Sequence, residues 1–424
     1  MLSKLTPNQV RGFWAAWAGW ALDGMDSFIY ALVLVPALRD LLPRSGIAAD
    51  SGQVGYYGGI LFAAFLVGWG CAFLWGPVAD RFGRVRTLTL TIVCYSFFTF
   101  LGCVAQNVWQ LGLFRLLAGV GIGGEWTLGG IFVAEEWPEQ RRQRGAAYMH
   151  TGYYFGTFLA AIVNYTIGAK YGWRAAFAVG GAPALLIAFI RYGVVEPDRW
   201  RARMEHLGSR WTAQRSFAAL FSSEYRSRTI VNSGLLLVSM VGLWAGSVYV
   251  PSSLTYLAGK AGYSGADAAR LASYGTMLLS IGTILGCLLV PLLAETLGRR
   301  GALGFYFVLM FVFIAVGFGY VFYLPNNLIW FVACLFFLGV GGANFALYTL
   351  WLPEQYRTEC RGSAFAFATS FGRFIAAGIT FLVGAGVSHF HTIGTPVALT
   401  SFAFIAGLLL LPFAEETKGK PLPA

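Results

Sequence analysis

Five ionisable side chains stand in stretches that are otherwise almost wholly apolar: Asp23 and Asp26 within residues 13–38, Arg115 and Glu125 within 110–133, and Arg373 within 364–388. At the centre of a membrane each costs at least about 2.5–3.5 kcal/mol on insertion scales, so their retention points to function. Asp23 and Asp26 are three residues apart and Tyr30 follows four further on, which on a helix places all three along one face. Two carboxylates crowded in a low dielectric cannot both stay ionised cheaply. The pair is therefore suited to taking up and releasing a proton, with Glu125 as the next candidate. The plainer alternative is a structural carboxylate bonded to backbone or to a neighbouring arginine. Arg373 carries a lasting charge on a planar fork that matches a carboxylate, and Arg115 is the second such group. Either could instead sit in an internal ion pair with Glu125. Tyr30, Trp126, Tyr154, Asn164, Trp244, Asn344 and Tyr348 are the polar or aromatic residues expected to touch a bound molecule, with packing as the alternative. No metal or organic cofactor is implied. The chemistry indicated is capture of a small anion together with a proton.

The 424 residues are 57% hydrophobic and 12% charged, where a soluble domain carries about 25% charge. Mean hydropathy is +0.64. Such a composition excludes a water-soluble enzyme, a disordered chain and a nucleic-acid-binding domain. Apolar runs long enough to cross about 30 Å of hydrocarbon as helix occur at 13–38, 54–77, 87–105, 110–133, 146–168, 173–192, 229–257, 271–293, 302–323, 328–351, 364–388 and 395–413. With both termini on the cytoplasmic side, 22 of the 30 lysines and arginines fall in cytoplasmic segments and six in outer loops. That bias sets the orientation and accounts for the net charge of +11 without any nucleic acid. The six cysteines are scattered singly and read as small buried hydrophobes.

The chain also repeats itself. Pro138-Glu139-Gln140 recurs as Pro353-Glu354-Gln355 at an offset of 215 residues, and the loop Gly76 to Arg84 recurs in altered form as Pro291 to Arg300 at the same offset. Two matches at one offset close to half the length indicate two halves joined by a polar stretch near 193–228. Gly76-x-x-x-Asp80-Arg81-x-Gly83-Arg84 resembles the signature loop of the major facilitator superfamily. Leu22-Asp23-Gly24-Met25-Asp26 and Gly121-Ile-Gly123-Gly124-Glu125-Trp126 are similar to elements of its proton symporters for aromatic acids, sialate and lactate, with a departure at Met25, usually aromatic there. Glu415-Glu416-Thr417-Lys418-Gly419 resembles the tail of its sugar porters.

The resemblance implies an all-α membrane protein of the major facilitator fold, with 12 transmembrane helices in two six-helix pseudo-repeats, residues 1–192 and 229–424, joined by a cytoplasmic linker at 193–228. It implies secondary active transport rather than catalysis: proton-coupled uptake of a small organic anion by alternating access, performed by a monomer in the cell membrane, a bacterial inner membrane. The partners are then the anion, the proton and the lipid bilayer. A sugar or neutral-metabolite porter is the competing reading. In the family the signature loop latches the cytoplasmic side, a role that falls here to Gly76, Asp80, Arg81, Gly83, Arg84, Glu135 and Arg144, with Glu295 and Arg299 in a weaker second copy. An anion such as Asp80 is favoured where a helix N-terminus offers free N–H groups. Asp80→Asn is expected to slow transport while leaving substrate affinity and folding largely intact. Transport at the wild-type rate by that variant, measured in proteoliposomes, would count against the latch.

Overall fold

Thr6 opens α1 (Pro7–Arg44). Its hydroxyl accepts from the Gln9 N–H while the Gln9 side chain accepts from the Thr6 N–H, and Pro7 at the first position fixes where the helix begins. Asp50 and Asn107 cap α2 (Ser51–Gly70) and α4 (Val108–Glu136) in the same sense, each accepting from a backbone N–H three residues on. Between them lies α3 (Arg84–Leu101), and after them come α5 (Glu139–Val163) and α6 (Trp173–Val179). The second half runs through α7 (Arg226–Val241), α8 (Val250–Lys260), α9 (Gly265–Thr296), α10 (Gly298–Gly319), α11 (Leu328–Gly342), α12 (Asn344–Trp351), α13 (Thr358–Phe390), α14 (Gly394–Leu399) and α15 (Phe402–Leu410).

The computed structural model describes residues 6–75, 84–181, 217–243, 249–420 and 423. Each apolar run of the sequence carries helix over its described part, and no strand occurs among the described residues. Six helical stretches among the described residues are long and apolar enough to cross a membrane by length and composition. Thr89–Val104 and Val108–Gly124 are shorter apolar helices. The expected run at 328–351 is divided at Ala343 into α11 and α12, and α5 ends in a π-helical turn, Asn164–Gly168.

In the first half α1 packs on α5, and α4 packs between α2 and α3; in the second, α9 and α10 pack on α11, and α7 on α13. The halves meet along two seams, α2 against α13 and α5 against α9. Without a hydrophobic drive between helices in lipid, close approach through small residues supplies the cohesion. A Cβ at Gly156 would lie 1.7 Å from the carbonyl oxygen of Ala21, so α1 and α5 touch backbone to backbone. Across the first seam a Cβ on Gly59 would lie 2.9 Å from the Cα of Gly384. Across the second, Thr157 and Ser280 hydroxyls are 2.6 Å apart and the Asn164 amide donates to the Ser273 hydroxyl at 3.0 Å. These contacts lie from mid-helix toward the end opposite that at which α1 begins, so at that end the halves are joined.

The two glycine contacts separate stability from conformational balance. Gly156→Ala overpacks one half and is expected to lower the melting temperature, since overpacking costs about 1–3 kcal/mol. Gly59→Ala wedges only the seam, so it should leave melting nearly unchanged and lengthen the distance between spin labels at the ends of α2 and α13. Unchanged melting in Gly156→Ala, or an unmoved distance in Gly59→Ala, would contradict this packing.

Candidate functional site

Asp26 stands in the middle of α1, roughly 28 Å from its first residue at about 1.5 Å per residue. There it meets Arg115 of α4: the guanidinium Nη1 lies 3.4 Å from Oδ2 and 3.5 Å from Oδ1, with both side chains at most 1% exposed. The Arg115 guanidinium also lies 4.6 Å from the ring centre of Tyr30 and 4.4 Å from that of Phe65. A cation over two ring faces recovers part of the hydration it has lost. Of the two acids on this face, Asp26 is thus matched to Arg115 within its own half.

Asp23, one turn earlier, is an electrostatic neighbour of a second buried arginine, Arg373 of the other half. Arg373 is 2% exposed, near the middle of α13, and its electrostatic neighbours are Asp23 and Tyr153. Its guanidinium lies 4.3 Å from the ring centre of Trp69 and 5.5 Å from that of Trp126. Those rings belong to a cluster. Trp20 stacks on Trp126 at 5.8 Å with planes 16° apart and meets Tyr153 at 4.9 Å. His150 lies between Trp20, Trp126 and Tyr154, with its ring parallel to that of Phe345. Trp126 crosses to the second half, donating to the Thr349 hydroxyl at 3.2 Å and meeting Phe365 edge-on.

The break between α11 and α12 faces the same region. The Asn344 amide donates to the Gly341 carbonyl, and the Tyr154 hydroxyl of the first half donates to the Gly342 carbonyl at 3.1 Å. Irregular backbone at membrane depth is tolerated where protein groups satisfy it, and broken helices mark binding sites in transporter folds. Around this centre, buried polar atoms of Trp20, Tyr30, His150 and Arg373 lack a hydrogen-bond partner among the described residues. Each such atom costs about 1–3 kcal/mol, and that cost is recovered when a polar ligand supplies acceptors and donors.

The expected site residues therefore divide. Asp23, Asp26, Tyr30, Arg115, Trp126, Tyr154, Asn344 and Arg373 gather at the centre. Asn164 is drawn by the π turn into the α5–α9 seam and Tyr348 bonds to Ser239 within the second half, so both are occupied in packing. Trp244 lies outside the described residues, as does the side chain of Glu125. His150, Trp20 and Trp69 were not expected; the signal was helical spacing, since His150 precedes Tyr153 and Tyr154 by three and four residues and Trp20 precedes Asp23 by three.

Of the latch residues, Gly76, Asp80, Arg81 and Gly83 and the side chains of Arg84 and Glu135 also lie outside the described residues, and Arg144 is exposed. The second copy is visible. Arg299 grips Glu354 through both fork nitrogens, at 2.8 and 3.0 Å, and Thr417 donates to the same carboxylate. Glu416 accepts from the backbone N–H groups of Arg299, Arg300, Thr417 and Lys418. Partial burial pushes the Glu416 carboxyl up, but those four donors outweigh it and hold it below the usual carboxylate range. All of these partners lie in the second half, and Glu295 is exposed.

A family model described as the Major Facilitator Superfamily matches residues 16–381. A protein of Cupriavidus pinatubonensis named for 4-methylmuconolactone transport is 30% identical, the match covering 98% of this chain and 92% of that protein. A sialic acid transporter of Escherichia coli is 24% identical over 96% of this chain and 94% of its own length. Among solved structures, a D-xylose–proton symporter is similar with a TM-score of 0.72 at 20% identity, covering 98% of this chain and all of that one, which is a likeness of fold.

The Asp26–Arg115 couple has an energetic signature. Removing one partner of a buried pair strands a charge at about 3–5 kcal/mol, while replacing both is far milder. Asp26→Asn and Arg115→Gln should each lower the melting temperature strongly, and the double variant should recover much of the loss. Additive losses would show that the two residues do not compensate each other.

Proposed function

The chain belongs to the major facilitator superfamily, and from that footing we propose that it is a proton-coupled importer of a small organic anion. It is a multi-pass membrane transporter and not an enzyme. The observation that carries the reading is the buried Arg373 guanidinium of the second half, set against the rings of Trp69 and Trp126 with Asp23 of the first half as an electrostatic neighbour, among unsatisfied polar groups. A substrate carboxylate arriving at the Arg373 fork competes with Asp23 for one guanidinium. Once the anion has taken that place, Asp23 is an acid in low dielectric without its counter-charge, and it regains neutrality by taking up a proton. Anion and proton then enter together, and the centre carries no added net charge while the halves rock. Asp26, held by Arg115, supplies fixed background and completes the set.

The cargo named for the relatives, a muconolactone and a sialic acid, supports the acid reading. The neutral-sugar reading draws on the sugar-porter-like tail Glu415 to Gly419 and on the flat faces of Trp20 and Trp126, which would stack on a sugar ring as readily as on an unsaturated acid. The charge asymmetry of the sequence supports cytoplasmic termini, the 215-residue repeat supports halves at 1–192 and 229–424 with the linker at 193–228, and the bacterial relatives support a bacterial inner membrane. The Arg299–Glu354 grip, read through the 215-residue offset, gives Arg84 and Glu139 as its counterparts in the first half. Those residues, with Asp80, Arg81 and Glu135, form the cytoplasmic latch in this reading.

Proteoliposomes with an acid exterior test the proposal. Small carboxylates should accumulate against their gradient, and Asp23→Asn should abolish accumulation while sparing exchange. Arg373→Lys keeps the charge but loses the fork, so affinity should fall about tenfold, roughly 1.4 kcal/mol. Undiminished uptake of a neutral sugar by Arg373→Ala would refute the anion reading and favour the sugar porter.

A further inference from the structure

At the end of the bundle opposite that at which α1 begins, α1, α2, α8 and α13 enclose a pocket of about 120 Å³. One water needs only about 10–15 Å³ on that measure, so the space suits a small ring. Its walls are largely apolar, from Leu34, Val387 and Ile393 among others, and the polar groups among them include Arg39, Ser252 and His391. Arg39 stands exposed at the rim, with no carboxylate within salt-bridge distance among the described residues. Ser252 is 7% exposed and its hydroxyl has no hydrogen-bond partner among the described residues. His391 ends α13 in the left-handed region at φ 53°, which holds its ring on the pocket's edge.

We propose that this pocket is a second binding site, separate from the centre, for a small carboxylate carried on an apolar ring. The Arg39 fork takes the carboxylate, the Ser252 hydroxyl and the His391 ring offer further hydrogen bonds, and the aliphatic wall takes the ring. A single cation among apolar walls suits a monoanion better than a phosphate. The rings of Tyr249, Phe62 and Tyr30 stand between this pocket and Arg115, at 6.3 Å from Tyr249 to Phe62 and 4.8 Å from Phe62 to Tyr30. Two of the enclosing helices belong to each half, so a ligand here binds only the arrangement in which these ends are together and favours that arrangement. The site goes beyond the transport reading and does not need Arg373.

The test uses the full chain in nanodiscs with Thr255→Cys, which places a thiol on the pocket wall. Alkylation at position 255 by N-ethylmaleimide is followed by peptide mass spectrometry, which separates it from the native cysteines. Benzoate is expected to slow alkylation about tenfold, and Arg39→Gln or Ser252→Val in the same background to remove that protection, a loss of binding near 1.4 kcal/mol. Arg373→Ala should leave protection in place. No protection by benzoate, or protection that survives both pocket variants, would overturn the site. Protection lost in Arg373→Ala would also overturn it, because the label would then be reporting a change driven from the centre. Stronger protection by octanoate than by benzoate would show an acyl chain as the occupant and overturn the ring-carboxylate assignment.

Discussion

A guanidinium and a carboxylate taken out of water each lose several kcal/mol of hydration, and only a partner held close repays it. That constraint organises the centre of this molecule. Arg115 has Asp26 at 3.4 Å and two ring faces; Arg373 has Asp23 and Tyr153 as electrostatic neighbours and the ring of Trp69 at 4.3 Å. The first couple lies within one half and can persist through any rearrangement. Asp23 and Arg373 belong to opposite halves, so relative movement of the halves and the state of these charges are tied. A carrier that must accept an anion there has to remove a negative charge or add a positive one, and a proton is the smallest way to do so.

The surrounding packing serves the same end. Backbone contact at Gly156 and Ala21 makes the first half rigid enough to hold Asp23 and Asp26 at fixed depth. The seams between halves rest instead on glycine contacts and neutral hydroxyl or amide hydrogen bonds, which break at small cost. Among the described residues the strongly charged fork of Arg299 and Glu354 stays inside one half, with Glu416 fastening the chain's end to the start of α10. Away from the central charges, strong interactions thus build the halves, and weak ones join them.

The helical architecture and the central charges were legible in the sequence because the signals are local or simply periodic. Apolar runs report helices, Asp23 and Asp26 report a shared face, and the 215-residue offset reports the duplication. What the sequence could not show is which partner each charge takes, because pairing depends on helix rotation. The spacing left the acid partner of Arg115 open, and Asp26 takes that place. Asn164 looked like a mid-membrane ligand, yet the π turn rotates it toward Ser273, a change of one residue in register that composition does not encode. His150 was invisible for the opposite reason: a lone histidine carries little signal until α5 sets it against Trp126 and Phe345.

The central claim, that an anion at Arg373 and a proton on Asp23 are exchanged as a unit, is open to direct measurement. Purified protein in weakly buffered solution near neutral pH, mixed with a carboxylate it carries, should take up about one proton per anion bound, as linkage requires of a group whose affinity for protons rises on binding. Asp23→Asn should still bind the anion and take up none. Proton uptake unchanged in Asp23→Asn, or absent from the wild-type protein while the anion binds, would contradict the account.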